Sequence, residues 1–291
     1  MENKKPKAIL TIDLEFWYNA RSIELSLLKE KIKLEDYLLK STLPILEILK
    51  INNIKATFFV LGSLAEIYPE LIKKIADAGH EIASHGYSHR NLLDLTKEDF
   101  EKEVSLSKKI LENITGKKLL GIRIPSCSLN EKNQWAMEII NKYGFKYDSS
   151  IFPMRTPLYG IKNAPLKPYR ISFSNILKTD RNSPIIELPI AVYQFKNSKI
   201  RIPVGGGFYF RAIPFFIYIR LLRSAASMMT PVTYFHPYDL CSYVPKTTSV
   251  SWFKKKLKFY GVKRGRKKFE KLIKKFNFIP IEQYLKENRL I

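Results

Sequence analysis

Cysteine is scarce in this chain, acidic residues are few for its size, and no long apolar run interrupts it. The 291 residues include only Cys127 and Cys241. Two thiols so far apart argue against a disulfide-stapled scaffold and cannot supply a four-thiolate zinc site, so both are expected to be free. The most membrane-like stretch, Phe208 to Leu222, carries Arg211 and Arg220 and falls short of the roughly 20 apolar residues a spanning helix needs. It is expected either as a buried helix or as one lying at a surface. The opening MENKKPKAILTIDLEFW has neither the apolar core nor the small-residue cleavage site of a signal peptide, which places the expectation on the cytoplasmic side, free or peripheral at the inner membrane. No internal repeat or low-complexity linker divides the chain. Residues 1–291 are therefore read as a single domain, with 252–291 a basic helical C-terminal portion packed on it or extending it. A chain of this length buries about 75% of its unfolded surface, so its core needs no metal staple and any metal is expected to serve chemistry.

The shortage of acids leaves 50 Lys+Arg against 27 Asp+Glu, a formal net charge of +23. Such a field attracts anionic polymers and anionic membranes. The excess is concentrated between Lys254 and Lys275, where twelve basic residues face the single acid Glu270. Apolar side chains recur among them at Trp252, Phe253, Leu257, Phe259, Phe269 and Leu272, a pattern suited to amphipathic helices that dock one face and solvate the other. The segment reads as a solvated lysine-rich face, or as a patch for an anionic membrane surface or an acidic glycan. No nucleic-acid module accompanies the charge, so nucleic acid is not an expected partner.

Along the chain, strand-like and helix-like segments alternate, which predicts an α/β fold with a parallel sheet or barrel wrapped by helices. Strands are expected at Ala8–Ile12, Ala56–Leu61 and Glu81–Ala83, and helices near Leu38–Ile51, Pro69–Ala78 and Thr96–Leu111, the last capped by Thr96. LLGIRIP, a helix near Trp135–Lys142, FKYDSS, IIELPI and VTYFHPYDL continue the alternation. The polar residues of interest follow strands, and in barrels the residues after strand C-termini form the active face.

Among only four histidines, His85 and His89 stand four apart, a spacing that aims two imidazoles at one metal, although it also arises by chance. His80 reads as an ordinary helix-terminal residue. Asp13 and Glu15 lie two apart, so extended chain sends both carboxylates to one face, where a cation would relieve their mutual repulsion. Two solvated acids on a loop is the alternative. Arg123 in GIRIPSCS, Asp148 in YDSS and His236 in TYFHPYDL complete what metal-assisted amide or ester hydrolysis needs: a base, a cation holder, an arginine to orient the base and a group to protonate the leaving atom. Gly205 to Gly207 form either an ordinary turn or a backbone that a ligand can approach closely. Trp17, Tyr18 and Phe152 are either core aromatics or stacking platforms for sugar rings.

The ordered set TIDLE, SHGYSH, RIPS, YDSSIFP and FHPYDL resembles the motif series of the polysaccharide deacetylase family, carbohydrate esterase family four. The later segments ELPI, GGGFYFRAIP and the basic C-terminal stretch resemble the branch associated with bacterial exopolysaccharide gene clusters. The resemblance implies a distorted, incomplete (β/α) barrel with a glycan groove across its C-terminal face. It implies Asp13 as catalytic base, Arg123 as the arginine that holds it, His236 as general acid with Asp239 orienting it, and Asp148 as the fourth-motif residue. His85 and His89 match the metal histidines, with Glu15 the carboxylate ligand because Leu14 separates the two acids; the swapped assignment, with Asp13 on the metal, stays open. Ser126 stands where the family offers a backbone N–H to the oxyanion. The cofactor implied is a divalent metal, zinc first, with Co2+, Ni2+ or Mn2+ as substitutes. The activity implied is N-deacetylation of an N-acetylated polysaccharide or lipid-linked glycan, with exopolysaccharide machinery as a partner. A hydrolase of small cyclic or linear amides and a catalytically silent glycan- or membrane-binding protein are the competing readings.

Overall fold

The first apolar run becomes the centre of the sheet. KAILTIDL forms β1 (Lys7–Leu14), and because side chains alternate along a strand, Ala8, Leu10, Ile12 and Leu14 face one side and Ile9, Thr11 and Asp13 the other. The first set joins the main core, while Ile9 belongs to a second apolar cluster. Seven of its eight residues are buried, as expected for a parallel strand covered on both faces. The computed structural model describes residues 5–19, 35–157, 159–241, 244 and 251–291.

Alternation then continues through α1 (Glu35–Ile51), β2 (Thr57–Val60), α2 (Gly62–Ile67), α3 (Pro69–Asp77), β3 (Glu81–Ser84) and α4 (Lys97–Thr115). The Thr96 hydroxyl accepts from the Asp99 N–H at 3.1 Å and caps α4, which stops at Gly116 in the left-handed conformation, as N-cap and C-cap chemistry dictates. Then follow β4 (Gly121–Ile122), α5 (Ala136–Lys142), β5 (Tyr147–Asp148), β6 (Tyr169–Arg170), β7 (Ile186–Glu187) and a hairpin of β8 (Val192–Gln194) and β9 (Arg201–Pro203). The stretch from Phe208 to Leu222 is split before Pro214 into α6 (Gly207–Ala212) and α7 (Phe215–Ala226), since proline cannot continue a helix. It buries Phe210, Tyr218 and Leu222 but exposes Phe216, so both expected placements hold in part. No described helix is long and apolar enough to cross a membrane.

The chain ends with β10 (Val232–Phe235), α8 (Trp252–Lys258), α9 (Val262–Ile273), β11 (Asn277–Ile279) and α10 (Ile281–Glu287). The C-terminal portion is thus not purely helical: NFI at 277–279 pairs in parallel with Lys7–Ile9. The strand order is β10-β1-β2-β3-β4-β5-β7-β6, parallel except for β6 against β7. Single bridges from Ile190 and Gly206 to β10 bring the far side round, so the sheet curls into an incomplete (β/α) barrel. At its N-terminal end Ile281 and Leu285 of α10 pack with Ile9, Phe59, Ala83, Tyr147 and Val232 and plug the interior. The C-terminal end stays open.

Candidate active site

Four strands deliver the site. Asp13 lies in β1 and Glu15 just past it, His85 follows β3, Arg123 follows β4 and His236 follows β10. Their side chains line one cavity of about 680 Å³ together with His89, Ser126, Tyr159, Tyr234, Asp239 and Lys258.

Glu15, His85 and His89 are buried, and their ligand atoms lie within 4.8 Å of one another. The Glu15 carboxylate is 2.5 Å from Nε2 of His89, 3.7 Å from Nε2 of His85 and 3.4 Å from Nε2 of His236. Burial alone would raise the Glu15 carboxyl, but His89, His236 and His85 outweigh it and hold its pKa well below the ordinary value. Nδ1 of His85 hydrogen-bonds the Arg123 carbonyl at 2.8 Å. That bond leaves Nε2 with a lone pair toward the cavity, the arrangement that orients a ligating imidazole. The SHGYSH turn is pinned from α4, where Glu103 accepts from the Tyr87 and Ser88 N–H groups at 2.9 and 2.7 Å. His89 itself sits at φ 64, a left-handed backbone that non-glycine residues adopt only when their surroundings impose it. Two imidazoles and a carboxylate, buried and convergent, suit zinc or a similar divalent ion.

Asp13 is held differently. Nη1 of Arg123 donates to its Oδ1 at 2.6 Å and to the Thr11 hydroxyl at 2.8 Å. Nε and Nη2 of the same guanidinium donate to the carbonyl and hydroxyl of Ser149, and its plane lies 4.1 Å from the Phe59 ring. A buried arginine with its donors so engaged cannot swing away, which fixes the Asp13 carboxylate beside the three-ligand cluster without making it a member. Among the described residues the cluster therefore contains Glu15 and not Asp13.

His236 closes the other side. Its backbone N–H and Nδ1 both meet Oδ2 of Asp239, at 2.8 and 3.0 Å, and its ring stacks on Tyr238 at 4.7 Å. Burial would lower the imidazole pKa, but the Glu15 and Asp239 carboxylates raise it further and the balance lies above the ordinary histidine value. Burial likewise disfavours the Asp239 anion, yet Arg211 and His236 hold its carboxyl below the usual range. Nε of Arg211 donates to Asp239 at 2.8 Å and Nη2 to the Lys258 carbonyl at 3.0 Å.

Against this geometry stand the comparisons with known proteins. Residues 34–147 match the polysaccharide deacetylase family model, and residues 149–286 match a domain of unknown function, DUF3473. The chain carries a region similar to polysaccharide deacetylases over residues 34–147. Over 101 residues, 34% of this chain, it is 39% identical to a peptidoglycan-N-acetylglucosamine deacetylase of Bacillus cereus, and over 107 residues, 37% of this chain, 35% identical to a peptidoglycan deacetylase of Helicobacter pylori. These matches take in 37% and 36% of the two relatives' own lengths. The crystal structure of a Mycobacterium smegmatis protein assigned as a polysaccharide deacetylase superposes with a TM-score of 0.62 over 99% of this chain and 92% of that one, at 20% identity, a likeness of fold.

Not every expected residue reaches the cavity. Asp148 is fully buried behind it and does not line it. Its Oδ1 accepts from the Ser150 hydroxyl, whose oxygen accepts from the Ile124 N–H at 2.7 Å, so it braces the loop that follows Arg123. Asp148 Oδ2 and Glu187 Oε2 are buried and lack a donor. Burial, and then the Asp148 charge, push the Glu187 carboxyl well up; a proton held on Glu187 satisfies both oxygens, because two adjacent buried carboxylates cannot both ionise. The aromatic platforms are core instead: Trp17 packs on Tyr37 and Phe259, and Phe152 on Tyr159 and Tyr209. None of Trp17, Tyr18 and Phe152 lines the cavity. The glycine run serves packing rather than a ligand, since a Cβ on Gly207 would sit 2.0 Å from Asp239 Oδ2 and one on Gly205 2.8 Å from the Val232 carbonyl.

Arg211, Lys258 and Glu103 were not singled out by sequence reasoning. A lone arginine inside an aromatic stretch signals a buried anion, and Asp239 is that anion. Lys258 had no distinguishing mark among the twelve basic residues of its segment, yet it lines the cavity, with Nζ 4.6 Å from the Tyr238 ring and its pKa lowered by burial to about 8.

Proposed function

We propose that the chain is a metal-dependent N-deacetylase acting on an N-acetylated polysaccharide or a lipid-linked glycan, of the kind processed during exopolysaccharide formation. The observation that carries this reading is the convergence, in one cavity, of the Glu15–His85–His89 cluster with an arginine-held aspartate and a carboxylate-oriented histidine. A pure binding protein has no use for the last two.

The three-residue cluster would hold a divalent ion, zinc by its donor set, supplying Lewis-acid polarisation of the amide carbonyl and of water. Asp13, oriented by Arg123, takes the proton of the attacking water at its carboxylate. Ser126 lines the cavity in a left-handed backbone, φ 59, and is assigned the backbone N–H that faces the developing oxyanion, an interaction whose loss removes about 2.7–4 kcal/mol in acyl-transfer enzymes. His236 presents Nε2 to the cavity because Nδ1 is tied to Asp239, and it gives its proton to the departing amine.

The test is acetate release from N-acetylglucosamine oligomers and peptidoglycan glycan strands by zinc-reconstituted protein, with metal content measured alongside. Wild-type protein is expected to retain a single equivalent of zinc and to release acetate in a chelator-sensitive way; His85→Ala loses both, and Asp13→Asn retains zinc but loses release by about 10²–10⁴-fold. Release that persists in His85→Ala, or in chelator, refutes the metal-dependent reading.

A further inference from the structure

Of the seven residues of α8, WFKKKLK, none is fully buried, and only Lys255 and Lys258 are half-buried. Trp252 is 71% exposed and Phe253 69%, and Leu257 is also exposed. Helices on a soluble domain are amphipathic because the apolar side pays for docking; here the apolar side chains are the ones left in solvent. On α7 Phe216 is equally exposed. A groove of about 870 Å³ begins at Phe259 and Tyr260, just after α8, and is lined further by Phe215 of α7 and by Lys263, Lys267 and Lys271 of α9, with no carboxylate among the described residues. Within α8 the Lys256 ammonium lies 4.7 Å from the Trp252 ring. Exposed aromatics beside a lysine-lined groove match the two layers of an anionic membrane surface. Tryptophan and phenylalanine settle at the boundary between headgroups and acyl chains, and lysine ammoniums pair with lipid phosphates while their stems cover apolar surface. An acidic glycan or a nucleic acid would account for the lysines but not for Trp252, Phe253, Leu257 and Phe216 standing in water.

We propose that α8, with the adjoining basic groove and Phe216, is a docking surface for an anionic lipid bilayer. Lys258, the last residue of α8, lines the deacetylase cavity, so a bilayer beneath α8 lies beside the cavity rim, where a glycan still attached to its lipid would reach the site. The surface itself does not depend on the catalytic reading.

The test is flotation of the full chain with phosphatidylcholine vesicles, with or without about 30% phosphatidylglycerol, at low and high salt. Wild-type protein is expected to float with the anionic vesicles only, and less at high salt. Trp252→Ser combined with Phe253→Ser should weaken partitioning about tenfold or more; both positions are exposed, so the thermal midpoint should stay unchanged. A second readout uses brominated lipids. Of three tryptophans, Trp17 is buried and Trp135 packs against the core, so quenching should vanish in Trp252→Phe. Equal binding to neutral vesicles, unchanged binding of the double variant, or binding to soluble heparin with none to vesicles overturns the proposal. Acetate release from soluble oligomers is measured on the same samples; neither substituted residue lines the cavity, so failure of release and failure of docking are read separately.

Discussion

At the scale of single residues, the histidine outside the cavity makes a clean probe. Nδ1 of His80 accepts a hydrogen bond from the Ala56 N–H at 3.2 Å, so in the folded chain that nitrogen must be unprotonated. Burial, and then the nearby Lys55 charge, lower its pKa to about 4. Unfolded, the imidazole titrates near 6.5. Above pH 6.5 neither state carries the extra proton; as pH falls from 6.5 toward 4 the unfolded chain takes it up and the folded chain does not, so this contribution to stability drains away across that window. The loss is of order 2 kcal/mol. Urea unfolding of wild type and His80→Gln at pH 7.5 and pH 4.5 checks it: the acid-induced loss of stability should be smaller in the variant. Equal losses in both proteins would show that His80 titrates normally in the fold.

At the scale of elements, α6 is coupled to the turn that carries His236 and Asp239 by two close fits. Gly207 opens α6 against Asp239, where an added Cβ would lie 2.0 Å from Oδ2. Gly207→Ala must therefore displace the carboxylate that orients His236. Overpacking of this kind costs about 1–3 kcal/mol, and misorienting a proton donor lowers rate by about tenfold or more. Zinc content should be unchanged, because Asp239 is not in the three-ligand cluster; a parallel loss of zinc would refute this division of labour. Arg211 ties the same helix to Asp239 and to the carbonyls of Lys258 and Tyr260. Arg211→Met strands a buried carboxylate and should destabilise by about 3–5 kcal/mol in denaturant titration, with Arg211→Lys restoring only part, since an ammonium lacks the planar fork.

These couplings also mark how far the chain could be read. β1, β2, β3, α3 and α4 were legible because each carries its own signal, an apolar run or a capped amphipathic period. The same held for the site residues that follow them, whose spacing placed Asp13 and Glu15 on one face. β4, β5 and β7 fall in LLGIRIP, FKYDSS and IIELPI, which the alternation had already marked, but shrink to two residues each, while β6 owes its strand character to β7 rather than to local pattern. The place of Asp148 was not legible, because a carboxylate in YDSS looks the same whether it faces a cavity or, as here, a buried Glu187 from 39 residues further on. Arg211, Lys258 and β11 depend on contacts between distant parts of the chain, to which local periodicity is blind.

At the scale of the whole molecule, the last residues close what the first begin. β11 pairs with the start of β1, and Ile281 and Leu285 plug the barrel end opposite the site. The Thr57 hydroxyl accepts from the Ile281 N–H at 2.8 Å, and buried Glu81 accepts from the Glu282 N–H at 2.9 Å, so the plug is stitched to β2 and β3 by backbone as well as by packing. The Lys7–Glu287 pair is exposed and adds little. Burial of Ile279, Ile281 and Leu285 contributes about 1.5–3 kcal/mol each, together comparable to the net stability of about 5–15 kcal/mol typical of a domain. Removing residues 277–291 would also expose Ile9 and Tyr147 from inside the barrel. The shortened chain is expected to lose its cooperative thermal transition, whereas Leu285→Ala, which leaves a cavity in an otherwise intact plug, should keep the transition and lose about 2–5 kcal/mol. Calorimetry on both proteins decides the point: a cooperative transition in the shortened chain near the wild-type temperature would mean that the site is built on a barrel that stands without its plug, and the C-terminal strand and helix would then have to be explained by something other than stability.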